Sequence, residues 1–164
     1  MSRGFKEVKE EAKQYSKSIS IHGQTTTIYP KTTLPKRSDA ASAGYDLFTP
    51  IDVLIMPGET KVIWTNVKAY MEPDEVLQIF VRSSIGIKKG IVLANGTGII
   101  DASYYENESN DGNIGLALKN TTGQAIEINA GERLAQGIFT KYLIADTDEV
   151  MNTSRTGGIG SSGL

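Results

Sequence analysis

The residues able to do chemistry in this 164-residue chain gather in five short segments: AGYDL at 43–47, RSSIGIK at 82–88, NGTGIIDASY at 95–104, GERLAQGIF at 131–139 and RTGGIGSSG at 155–163. They supply carboxylates, hydroxyls, guanidiniums and backbone amides left open by glycine. They supply no thiol, because the chain has no Cys, and its single histidine, His22, lies elsewhere, in the polar stretch SISIHGQTTT, where it reads as an exposed loop residue. Thiolate zinc sites, cysteine nucleophiles, disulfide scaffolds and catalytic histidine pairs are therefore excluded. Any catalysis must run on Asp or Glu, Ser or Thr, Arg, Lys, backbone N–H groups or a hard metal ion. The last segment joins an Arg to glycines and two serines. In isolation it reads as a flexible tail, and it equally has the composition of a flap that closes on phosphate, since amides and hydroxyls approach anionic oxygens only where side chains are small.

Taken singly, the other segments have structural readings as well. AGYDL can be a turn entering a strand, GERLAQ a strand preceded by glycine, RSS a helix cap through Ser83 or Ser84, and Asn95-Gly96 a hairpin turn.

The elements that must position these segments are strands. Residues 52–56 stop at Pro57-Gly58, 61–64 follow, and Pro73-Asp74 precedes 76–81. Ile114, Leu116 and Leu118 alternate with small residues before the Thr122-Gly123 turn, and 125–128 and 133–144 flank Ala130-Gly131. Short β-branched runs at this spacing predict an all-β sandwich or barrel. The one helical candidate is N-terminal, where Phe5, Val8, Ala12 and Tyr15 could share a face, although GFKEV could equally open a strand. We expect a single β domain over 1–150. Within it, 1–33 forms an N-terminal strand or helix plus added loop, with 16–31 as loop, and 105–113 forms a polar, solvated surface insertion. Residues 151–164 form a glycine-rich arm.

The charge is nearly balanced, with 17 basic and 19 acidic residues, so no overall field gathers a polyanion, and direct nucleic-acid binding is not expected. No apolar run exceeds four residues, which excludes a membrane-spanning helix, and MSRGFKEVKEE lacks the apolar centre of a signal peptide. A cytoplasmic location is expected.

In this order, from residue 43 to 163, the five segments resemble those of the homotrimeric deoxyuridine triphosphatase (dUTPase) family. The resemblance implies a jelly-roll, or distorted β-barrel, trimer with active sites between subunits, each closed by a C-terminal arm. It also implies hydrolysis of dUTP to dUMP and pyrophosphate, which limits uracil in DNA and supplies a thymidylate precursor. Asp101, in Gly98-Ile99-Ile100-Asp101, is the implied catalytic residue, orienting and deprotonating the water that attacks the α-phosphorus. Tyr104 is implied to pack on deoxyribose where a 2′-hydroxyl would project, and Asn95, Gly98 and Ile100 to form the uracil hairpin. Arg82, Ser83, Ser84 and Gln136 are implied phosphate groups, joined from the arm by Arg155, Gly160, Ser161 and Ser162. Asp46 is implied to lie near Mg2+, through water, with the ion riding on the triphosphate. Ile159 departs from the family, standing where an aromatic usually stacks on uracil. So does YENESNDGN after Tyr104, which replaces a shorter turn. Two other readings stay open: deamination of dCTP, alone or followed by triphosphate hydrolysis, on the same fold, and a regulatory module whose nucleotide-gated arm docks a protein partner.

Overall fold

The computed structural model describes residues 2–150, whose regular structure is almost wholly antiparallel strand. In chain order they are β1 (Gly4–Glu7), β2 (Lys17–Ile21), β3 (Gln24–Ile28), β4 (Lys36–Arg37), β5 (Tyr45–Phe48), β6 (Val53–Ile55) and β7 (Thr60–Trp64). Then come β8 (Val67–Tyr70), β9 (Glu75–Val81), β10 (Ile91–Leu93), β11 (Gly98–Asp101), β12 (Gly115–Asn120), β13 (Ile126–Ile128) and β14 (Arg133–Lys141). Helical structure among the described residues is limited to single turns at Glu10–Ala12, Ser84–Lys88 and Ala102–Tyr104.

Two sheets enclose the core. One has the order β11-β9-β14-β5-β4 and the other β10-β12-β7, with ribbons β1-β8, β13-β6 and β2-β3 beside them. Leu47, Leu77, Ile79 and Leu134 from the larger sheet meet Ile63, Ile91, Leu116 and Leu118 from the smaller, all at most 1% exposed. Each such side chain contributes about 1.5–3 kcal/mol by leaving water. The alternation read at 114–118 is the pleat of β12, whose Leu116 and Leu118 point inward while Ala117 and Lys119 do not.

β14 is the central strand, pairing β5 through Gln136↔Asp46 and β9 through Gln136↔Phe80, with a register shift between Arg133 and Ala135. That shift re-aims Arg133 relative to the regular pleat. β1 lies along β8, and Phe5 packs on Tyr45 and Phe139 with ring centroids 5.4 and 5.3 Å apart. The N-terminal strand thereby braces the strand that carries Asp46.

Two expectations for segments outside the motifs are corrected. Residues 16–31 are mainly a β2–β3 hairpin and not loop, turned by His22 and Gly23, both at positive φ (52° and 79°), as a tight two-residue turn requires. The 105–113 segment is solvated on one side only: Glu106, Glu108 and Ser109 are exposed, while Asn107, Asp111 and Asn113 are at most 7% exposed. Its Asp111 is paired with the equally buried Lys68 of β8 at 2.8 Å, a long-range contact that no local pattern announces.

Candidate functional site

The chain crosses from the smaller sheet to the larger between β10 and β11, and the gap left there is a pocket. Ala94 is tied to Ala117 O (2.8 Å), and Gly96, at φ 75°, closes the turn by donating to Leu93 O (3.0 Å). Between the sheets lies a cavity of about 420 Å³ lined by Asn95, Gly98, Ile100 and Tyr104, together with Ile79 and Leu116. Its size and its mainly apolar walls with a few polar groups suit a small ligand. Gly98 is needed for packing, since a Cβ there would sit 3.0 Å from Ile79 Cβ.

Asp101 ends β11, opposite Val76 of β9, and starts the one-turn helix Ala102–Tyr104. A turn of this kind brings a residue back over the one three before it. The strand therefore ends in the exposed Asp101, one residue beyond the pocket-lining Ile100, while the turn buries the Tyr104 ring at 4% exposure in the pocket wall.

A second concavity, of about 360 Å³, lies at the other end of the larger sheet, lined by Arg82, Ser84, Lys88, Lys89 and Arg133 with Phe48. Arg82 and Ser83 follow β9, and Ser84 opens the Ser84–Lys88 turn, whose Gly86 N–H donates to Arg82 O at 2.8 Å. Ser83 does not cap that turn with its side chain; both serines are exposed. Behind them Asp46, 5% exposed, is the electrostatic anchor. Its Oδ1 pairs with Arg82 Nε at 2.9 Å, and its Oδ2 pairs with Arg133 Nη1 at 3.3 Å while accepting the Ser38 hydroxyl at 3.1 Å. Gln136 lies across from Asp46 on β14, its side chain over Gly44. Lys89 pairs with Glu132, whose carboxyl is held below its ordinary value by the Asn129 N–H and by Lys89. Two guanidiniums about one carboxylate leave an excess of positive charge and forked donors, the chemistry of an anion site.

These contacts test whether a metal fits Asp46. Both oxygens are already engaged by cationic or hydroxyl donors, and among the described residues no group of three His, Cys, Asp or Glu side chains could hold a metal ion. A hard cation needs several oxygen ligands. Direct ligation by the protein therefore does not fit; Asp46 organises guanidiniums instead.

Of the expected site residues, Asn95, Gly98, Ile100 and Tyr104 line the first concavity and Asp101 follows Ile100 in the chain; Arg82 and Ser84 line the second, flanking Ser83, with Asp46 paired to Arg82 and Gln136 across from Asp46. The two concavities share no lining residue. Arg155, Ile159, Gly160, Ser161 and Ser162 lie outside the described residues. Arg133 is the residue that sequence reasoning passed over; it stands inside GERLAQ, and its basic character beside a motif was the available signal.

Comparison with known proteins bears directly on this geometry. A family model described as dUTPase matches residues 30–163. The deoxyuridine 5′-triphosphate nucleotidohydrolase of Lactococcus lactis subsp. lactis is 47% identical over 131 residues, covering 79% of this chain and 87% of that protein. Its counterpart in Picosynechococcus is 33% identical over 147 residues, covering 87% and 99%. A crystal structure of dUTPase from Streptococcus mutans superposes with a TM-score of 0.67 at 47% identity, over 69% of this chain and 88% of that one. The dUTPase from phage phi11 of S. aureus shares the fold at 22% identity, with a TM-score of 0.67 over 93% and 97%. No helix among the described residues is long and apolar enough to cross a membrane. With four-fifths of its length matched by the family model, and with an all-β fold that superposes on a dUTPase crystal structure, the chain belongs to the dUTPase family.

Proposed function

We propose that this protein hydrolyses dUTP to dUMP and pyrophosphate. The observation that supports the reading is the single segment 95–104, which lines a nucleoside-sized pocket with Asn95, Gly98, Ile100 and Tyr104 and ends its strand in Asp101, the next residue after Ile100. Uracil fits the pocket as a flat base whose edge is read by hairpin amides and carbonyls, while a tight floor excludes the thymine methyl. Tyr104 packs against the deoxyribose. Asp101 orients a water in line with the α-phosphorus and accepts its proton as pyrophosphate leaves. Positioning and proton acceptance together are what such a displacement requires.

Arg82, Arg133, Ser83, Ser84 and Gln136 take the phosphate oxygens, with Asp46 holding both guanidiniums in place. As the family resemblance implies, sites shared between subunits of a homotrimer bring together the pocket and the phosphate concavity, which are separate on one chain, and Arg155, Gly160, Ser161, Ser162 and Ile159 of the C-terminal arm complete them. Mg2+ carried on the triphosphate would neutralise part of its charge, leaving Arg82 and Arg133 to bind the remaining phosphate oxygens.

Pyrophosphate release from dUTP, dCTP, dTTP and UTP in the presence of Mg2+ tests reaction, base and sugar in one panel. Turnover confined to dUTP supports the reading. Ammonia release from dCTP would favour the deaminase reading, and no pyrophosphate from dUTP would reject hydrolysis.

A further inference from the structure

The 105–113 segment is a hydrogen-bonded frame built around Tyr104. Asn107 Oδ1 accepts the N–H groups of Ser109 (3.0 Å) and Asn110 (3.2 Å), which fixes the orientation of its amide. Its Nδ2 therefore faces Tyr104 O and Asn110 Oδ1, both at 2.8 Å. Asn110 Oδ1 also accepts the Gly112 N–H at 3.1 Å, so its own Nδ2 is the atom that donates to the Tyr104 hydroxyl at 2.7 Å. That hydroxyl in turn donates to Asn113 O at 2.8 Å. The ring is thus held at its tip by two groups of one loop and at its backbone by a third.

The frame is itself anchored from below. Lys68 Nζ, 4% exposed as a residue, bonds Asp111 Oδ2 at 2.8 Å and Glu106 Oε1 at 2.9 Å. The Lys9 N–H adds a bond to Asp111 Oδ2 at 2.7 Å. Asn113 is tied to Asn66 and to Ala12 O. None of these groups lines the pocket; all of them bear on the one ring that does.

Excluding a single oxygen atom from a ligand needs a wall that does not yield. A tyrosine held only by packing can tilt and make room. One whose hydroxyl is both donor and acceptor in buried bonds must break them to move, and buried polar groups left unpaired are costly. We propose that the 105–113 loop is a sugar-selectivity brace, in which Asn110 is a positioning residue that fixes the Tyr104 ring against the place a 2′-hydroxyl would occupy. The proposal rests on the reading of this pocket as the deoxynucleoside site.

The test measures kcat and KM for dUTP and UTP by pyrophosphate release, using the full-length protein with Mg2+. The variants are Asn110→Ala, Tyr104→Phe, the double variant, and Glu108→Ala as a control at an exposed loop position outside the bonded chain. Asn110→Ala is expected to lower the dUTP-to-UTP ratio of kcat/KM by roughly tenfold, the low end for one small group in a binding pocket. The change falls in KM, with kcat for dUTP kept within about twofold, because the reacting groups are untouched. Tyr104→Phe lowers the ratio equally, the double variant goes no further than Tyr104→Phe, and Glu108→Ala leaves the ratio unchanged.

An Asn110→Ala protein that loses activity on dUTP and UTP in equal measure has a merely structural defect and overturns the brace. Additive effects of the two substitutions overturn it as well. Should Asn110→Ala fail to fold, Tyr104→Phe decides alone: full sugar discrimination without the hydroxyl refutes the proposal, and reduced discrimination supports it. Wild-type protein inactive on dUTP overturns the reading of the pocket, and the proposal with it, before any variant is compared.

Discussion

Asp46 receives Arg82 Nε at 2.9 Å on one oxygen and Arg133 at 3.3 Å on the other, so one buried carboxylate sets the position of two guanidiniums. The pairing explains why an aspartate stands inside AGYDL on β5, between β4 and β14, where its backbone is fixed on both sides. Asp46→Asn keeps the shape and removes the charge. Hydrogen bonds between charged groups contribute about 1.5–3 kcal/mol, so kcat/KM for dUTP is expected to fall by roughly ten- to a hundredfold in steady-state pyrophosphate release. Wild-type kinetics in this variant would remove Asp46 from the account.

Lys68 ties the Tyr104 frame to β8, and its loss leaves the buried Asp111 with only the exposed Lys9 ammonium, 3.8 Å away, as counter-charge. Breaking one side of a buried pair costs about 3–5 kcal/mol. Lys68→Met is therefore expected to lower the melting temperature by about 10 °C, read by circular dichroism. A variant melting within about 2 °C of wild type would show that the pair contributes little.

The same cluster predicts a pH dependence. Burial pushes the Asp111 carboxyl up, but the bonds from Lys68 and the Lys9 N–H outweigh it and leave it below its ordinary 3.8; Lys68 likewise holds Glu106 below 4.5. Burial lowers Lys68, and its bonds to Asp111 and Glu106 raise it above 10.5 in sum. The carboxylates thus stabilise the fold fully above their ordinary values, and lose that contribution as pH falls through them toward the depressed ones. The Lys68 contribution is complete below 10.5 and fades only as pH rises through the raised value. Melting curves at about pH 5 and about pH 3 are expected to show the wild type losing more stability than Lys68→Met, so that their gap narrows in acid. A gap that stays constant would contradict this assignment.

Gly112 sits at φ 80°, and a Cβ there would lie 2.8 Å from Tyr104 O, a backbone atom that cannot step aside. Gly112→Ala is expected to cost about 1–3 kcal/mol of stability through the strained backbone, measured by urea denaturation. A neutral substitution would mean that the loop is free to rearrange around Tyr104.

Much of the sheet structure was legible in local pattern. The strands at 53–55, 60–64 and 126–128 were readable because Pro57-Gly58, Thr122-Gly123 and Ala130-Gly131 punctuate them, and Gly58 and Gly131 do adopt positive φ. The last strand ends at Lys141, short of the expected Ile144. Of the two readings open for the N-terminus, GFKEV opens a strand, because β8 offers a full antiparallel partner from Gly4↔Tyr70 to Glu7↔Val67, and helix is confined to the turn Glu10–Ala12. The β2–β3 hairpin carried its own signal, a β-branched Thr25–Ile28 run after His22-Gly23, but too few apolar residues to raise it above loop. Within the site, Asn95, Gly98, Ile100 and Tyr104 were named through the family resemblance of one short segment, and that segment does line one cavity. The roles of Arg133, Lys68 and Asn110 were not, since each depends on a partner brought close only by the fold: Asp46, Asp111 and the Tyr104 hydroxyl.

Water activation by Asp101, as proposed for dUTP hydrolysis, is tested by single-turnover pyrophosphate release from dUTP by wild type and by Asp101→Asn. The amide keeps the size of the carboxylate but cannot accept the proton, so the rate is expected to fall by about 10²–10⁴-fold while dUTP still binds. An Asp101→Asn protein that releases pyrophosphate at the wild-type rate would mean that Asp101 does not activate the water.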